Sequence, residues 1–84
     1  WLIVVIFATV AGDVYIFTDP TFETRQQCLD SVRSTEDQKG YIRKLITEYG
    51  EVMPIAAVNC LQEDTIKEIM EKHPNAPVRE GEAT

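Results

Sequence analysis

The chain opens on seven consecutive apolar residues, Trp1-Leu2-Ile3-Val4-Val5-Ile6-Phe7, and whatever buries them sets the architecture. A membrane-crossing helix needs about 20 apolar residues, and this run meets Thr9, Gly12 and Asp13 well before that. A secretory signal opens on basic residues ahead of its apolar stretch, and with none beside this run a retained signal is not the expected reading. The run therefore reads as a strand of the fold. Alternate side chains of a strand point to opposite faces, so Trp1, Ile3, Val5 and Phe7 share one face and Leu2, Val4, Ile6 and Ala8 the other. Both sets are apolar and both need cover.

Val14-Tyr15-Ile16-Phe17-Thr18 repeats the β-branched and aromatic bias after Gly12-Asp13, which predicts a hairpin. Gly12 supplies the positive φ of a tight turn and Asp13 a side chain that bonds its own backbone, while Asp19-Pro20 closes the second strand. Thr24-Arg25-Gln26-Gln27 has the capping-box pattern and starts a helix carrying Cys28, Leu29 and Val32 on one face. Tyr41, Ile42, Leu45, Ile46 and Tyr49 follow a 3.6-residue period that ends at Gly50, with Gly40 as the expected junction of the two helical pieces. Pro54 to Leu61 reads as a third strand. Asp64 is the expected cap of a last helix that buries Ile66, Ile69 and Met70 and stops at Pro74.

These elements predict one α+β domain over residues 1–74 and a flexible tail over 75–84. The expected arrangement is ββαβα: a small three-stranded, mostly antiparallel sheet of order 2-1-3 with the helices packed on one face. That leaves the second face open, with an apolar area on the order of 300 Å². Such a patch is rarely left bare, and either the end of the chain or a second subunit is expected to cover it. Trp1, Tyr15 and Phe17 are placed at this partner surface, because large aromatics anchor interfaces.

Eighty-four residues bury only about 60–65% of the unfolded surface, which makes an extra clamp or a subunit contact useful. Cys28 and Cys60 are the only cysteines, and the predicted helix and strand allow them to meet. A bond between them would contribute about 3–4 kcal/mol in the chain-entropy model. Two free thiols, buried as small apolar groups, suit a reducing compartment equally well.

A net charge of −6 repels phosphate backbones and anionic lipid, so neither nucleic acid nor a membrane is an expected partner. Glu63, Asp64, Glu68 and Glu71, interleaved with Lys67 and Lys72, form an acidic helix surface that offers an alternative contact for a host enzyme or basic protein. The single histidine, His73, has no ligand cluster near it, and Asp13, Asp19 and Glu23 lack calcium-loop spacing. Glycine loops for phosphate, nucleophile elbows and zinc-protease motifs are missing. No enzyme activity, cofactor, metal or small-molecule substrate is expected.

Residues Trp1–Phe17 with the Gly12-Asp13 turn, the helix start Phe22-Glu23-Thr24-Arg25-Gln26-Gln27-Cys28, and Met53-Pro54-Ile55-Ala56-Ala57-Val58-Asn59-Cys60 together resemble short uncharacterised proteins of marine tailed phages and sea-water metagenomes. The resemblance covers about residues 1–72 and brings no catalytic residues with it. It implies a viral accessory or virion component made in a bacterial cytoplasm; a Cys28–Cys60 bond would instead imply an exported compartment. The expected function is that of a small acidic structural or protein-interaction domain that self-associates through its apolar sheet face.

Overall fold

The computed structural model describes residues 1–75 and 77–83 and is an α+β fold of three helices and a four-stranded mixed sheet. Its elements are β1 (Leu2–Phe7), β2 (Val14–Asp19), α1 (Arg25–Arg33), α2 (Thr35–Tyr49), β3 (Ile55–Leu61), α3 (Glu63–Lys72) and β4 (Val78–Glu82). The sheet order is β3-β1-β2-β4, so the apolar opening run lies inside the sheet. Among the described residues, no helix is long and apolar enough to cross a membrane.

The hairpin forms as its turn chemistry dictates. Gly12 takes φ 71°, and its N–H donates to the Thr9 carbonyl. Thr9 Oγ1 donates to Asp13 Oδ2 at 2.7 Å and accepts from the Asp13 N–H at 3.1 Å. The capping box of α1 is complete: Thr24 Oγ1 accepts from the Gln27 N–H, and Gln27 Oε1 accepts from the Glu23 and Thr24 N–H groups. The α1–α2 junction lies at Ser34, which ends one helix and caps the next, and Gly40 sits inside α2. The extended ψ of 122° at Ser34 breaks the helical path there. Likewise Gln62 holds the N-cap position of α3, leaving Asp64 in the first turn, where a carboxylate complements the helix dipole.

Three further sequence expectations are corrected. The first is the sheet, which has four strands where three were expected. Val78–Glu82, assigned to a flexible tail over 75–84, pairs parallel with β2, from Val14 opposite Val78 to Phe17 opposite Gly81. Ala76 and Thr84, also in that tail, lie outside the described residues. The second correction is that the helices occupy both faces. β1 is antiparallel to both β2 and β3, so β2, β3 and β4 all run the same way. The α1–α2 connection crosses the sheet from β2 to β3, and α3 crosses back from β3 to β4. Parallel crossovers keep a right-handed sense, so two that run in opposite directions deliver their helices to opposite faces.

Two cores result. Ile3, Val5, Phe7, Tyr15, Phe17, Cys28, Leu45 and Cys60 form the larger, under α1 and α2. Val4, Ile16 and Ile66 centre the smaller, with Leu2, Ile6, Val14, Leu61, Met70 and Val78 around it under α3. The third correction follows from the first core. Tyr15 and Phe17, placed at a partner surface, are 0% exposed beneath α2, so they hold the fold together and offer no contact surface. Trp1 packs half-buried against the same core, and its backbone exchanges hydrogen bonds with Phe22 in both directions.

Candidate functional site

With both faces covered, most of the large apolar side chains exposed among the described residues gather along one edge of the sheet, between α2 and β3, while Ile69 on α3 and Val10 in the hairpin loop stand apart from them. On α2, Tyr41, Leu45 and Tyr49 point into the core, and Ile42 and Ile46 sit one position further round the helix. They overhang β3. Ile42 is 47% exposed, Ile46 37%, Ile55 44% and Val58 37%, and Val52 extends the surface beyond the C-terminal end of α2. A groove lined by Val32, Tyr41, Ile42, Leu45, Ile55 and Val58 opens between them, and it continues past Met53 to Glu51. Lys39 and Arg43 flank Ile42 and Ile46 on the outer side of the helix.

β3 is an edge strand, and its backbone faces can be assigned from the ladder. The Phe7 N–H donates to the Asp13 carbonyl at 2.9 Å and the Ala8 N–H to Pro54 at 2.8 Å. Odd residues of β1 therefore bond to β2 and even ones to β3. Leu2, Val4 and Ile6 stand opposite Leu61, Asn59 and Ala57, so those three β3 residues bond inward. The N–H and C=O groups of Val58 and Cys60 consequently point outward, and among the described residues nothing bonds them.

The two edges differ in how they are protected. Exposed strand edges are normally guarded against pairing by charges, prolines or bulges. β4 carries Arg79, Glu80 and Glu82 in five residues. β3 reads Ile55-Ala56-Ala57-Val58-Asn59-Cys60-Leu61 with no charge and no proline, and its one irregularity is a register shift opposite Ile6 and Phe7.

Cys28 and Cys60 are disulfide-bonded, with Cα atoms 6.1 Å apart. The bond ties α1 to the open strand near its C-terminal end. Neither possibility left by the sequence could be chosen without knowing that β3 lies beneath α1.

A cluster of titratable groups stands on the same face toward the opposite edge, where α2 meets β4. Tyr15 Oη donates to Glu48 Oε1 at 3.4 Å, Lys44 Nζ lies 3.2 Å from the same oxygen, and Arg79 donates to the Glu48 carbonyl at 3.0 Å. The Arg79 guanidinium also stacks over the Tyr49 ring, 4.7 Å from its centroid. A Cβ at position 81 would collide with the Tyr15 hydroxyl, so only glycine lets β4 approach this closely. These groups dock β4 and α2 onto one another. Burial raises the Tyr49 hydroxyl above its ordinary range, and burial followed by the nearby Glu48 charge pushes Tyr15 up to about 12. Shifts in that direction take both phenols further from proton exchange near neutral pH.

They also make stability depend on pH. Folded Tyr15 keeps its proton to about 12, whereas the unfolded chain loses it near 10. The stabilisation is complete below pH 10 and is lost as pH rises through 12. The urea midpoint is expected to fall between about pH 9 and about pH 11, and Tyr15→Phe to flatten that fall. An equal fall in the variant would contradict the assignment.

The alternative acidic residues are all surface groups of α3. Glu63, Asp64, Glu68 and Glu71 are exposed, and Glu63 pairs with Lys67 at 3.5 Å between side chains that are themselves largely in solvent. Such a pair is worth little. Among the described residues, no group of three His, Cys, Asp or Glu side chains is placed to hold a metal ion. Comparison with known proteins finds no matching family model, no matching curated protein and no matching solved structure.

Proposed function

We propose that this chain is a non-enzymatic protein-interaction domain whose working surface is the open β3 edge together with the apolar groove beneath Ile42 and Ile46. The observation that carries this reading is the contrast between the two sheet edges, β4 charged and β3 bare. A strand laid against β3 would satisfy the outward backbone groups of Val58 and Cys60 and set its side chains beside the groove, the geometry of β-strand addition. The tyrosine, lysine, glutamate and arginine cluster supports a structural assignment, because its groups are engaged in holding β4 to α2. The phage resemblance fits a component of a larger protein assembly.

The test uses a synthetic peptide of residues 55–61 with Cys60→Ser as the docking strand. Residue-resolved amide exchange is measured with and without it, at low micromolar protein. Slower exchange at Val58 and Cys60 is expected. Protection confined to α3 around Glu63, Asp64, Glu68 and Glu71, or none at all, would overturn the reading, and protection on α3 would point to the acidic surface instead.

A further inference from the structure

We infer that the strand received by the β3 edge is β3 of a second copy of this chain, which joins two sheets into one of eight strands. The inference rests on the edge-docking reading above and adds the identity of the occupant.

Three properties of the edge favour a second copy. The first is self-complementarity. Run antiparallel to itself, Ile55–Leu61 pairs along its full length when Val58 lies on the twofold axis, with Ala57 opposite Asn59 of the partner. Val58 is one of the two residues whose N–H and C=O point outward, so the pair on the axis can exchange both backbone bonds. No like charges meet along the strand, and the side chain brought to the axis is an exposed valine.

The second property is charge. A twofold axis perpendicular to the sheet keeps both α2 helices on one face and runs them antiparallel. Beside Ile42 and Ile46, Lys39 lies in the first half of α2 and Arg43 near its middle, while Glu36 and Asp37 of the first turn stand beside Pro20 and Ala83, and Glu51 lies beyond the helix end. On the Ile42 and Ile46 side, Lys39 of each helix is therefore carried toward Glu51 of the other. The acidic α3 helices remain on the opposite face, packed over the smaller core.

The third is area. Ile42, Ile46, Val52, Ile55 and Val58 together expose an apolar patch on the order of 400 Å², within the range at which a patch on a monomer signals a contact. With the β3 backbone, Ala56, Ala57, Lys39 and Arg43 added, the surface approaches the roughly 800 Å² per partner of a standard interface. A contact at the lower end of that class should associate in the micromolar range.

Sedimentation equilibrium on the full chain, from low to high micromolar, tests this. The mass is expected to climb from 9.5 kDa toward twice that value. Val58→Asp sets two carboxylates opposite one another at the axis and is expected to weaken association about a hundredfold. Ile46→Lys, on α2 and away from the strand, should weaken it too, which guards against a folding defect in the first variant. Val10→Asp, in the exposed hairpin loop, should leave it unchanged. A species of 9.5 kDa at every concentration, or a dimer indifferent to both Val58→Asp and Ile46→Lys, would overturn the inference. If the chain stays monomeric but still protects Val58 and Cys60 when the strand peptide is added, the edge reading survives with another protein as its occupant; if the peptide fails as well, both fall.

Discussion

Phe17→Ala is expected to cost about 3–5 kcal/mol of stability. Phe17 has no exposed surface, and its ring centroid lies 5.0 Å from that of Tyr15, edge to face, and 5.0 Å from that of Tyr41 on α2. Truncation would leave a void where β2 and α2 meet, and the close-packed neighbours can collapse into it only in part. A domain of this size has a total stability on the order of 4–12 kcal/mol, so the variant should sit near its unfolding threshold. Urea unfolding followed by circular dichroism would show the midpoint falling with little change in slope. Had Phe17 stood at a partner surface, the same substitution would weaken association and leave the monomer nearly as stable as before.

Reduction of the Cys28–Cys60 bond should have an effect of similar size, about 3–4 kcal/mol for a loop of this length. The loop spans 32 positions and contains all of α2, the helix that covers the larger core. Opening it restores freedom to the unfolded chain, and it also releases α1 from β3, the uncharged edge strand of the sheet. Urea midpoints with and without reductant measure the difference, and the Cys28→Ala, Cys60→Ala double variant should match the reduced protein. Identical midpoints in the oxidised and reduced protein would show that the bond contributes nothing to the fold.

Much of this architecture was legible in the sequence because it is written in local chemistry. The hairpin followed from Gly12 and Asp13, the start of α1 from Thr24 and Gln27, and the body of α2 from the spacing of Tyr41, Leu45 and Tyr49. Apolarity on both sides of β1 correctly demanded cover on both faces. What supplied that cover was hidden by β4. Val78-Arg79-Glu80-Gly81-Glu82 has neither apolar alternation nor β-branched bias, because it is an exposed edge strand that sends little more than Val78 inward and uses Gly81 to approach Tyr15. Without that strand α3 has nothing to cross to, and the rule that places it on the second face has no purchase. With that face open, large aromatics such as Tyr15 and Phe17 read as interface anchors, although aromatic character suits a core equally well.

The expected order 2-1-3 already sets the third strand at an edge, where it lies in the structure. The open surface was still not legible there, because nothing in an apolar, alanine-rich segment such as Ile55–Leu61 separates a bare edge from one covered by a neighbour. Its lack of charge becomes informative only when set beside the charged edge at β4.

Amide exchange along β3 tests the central claim most directly, because it reads individual backbone groups. In the free monomer, Ala57, Asn59 and Leu61 should be protected by β1, while Val58 and Cys60 exchange freely. When the strand peptide is added, these two amides should slow and the acidic face of α3 should not respond. Val58 and Cys60 protected in the monomer, or unchanged while α3 slows, would contradict the assignment of β3 as the receiving edge.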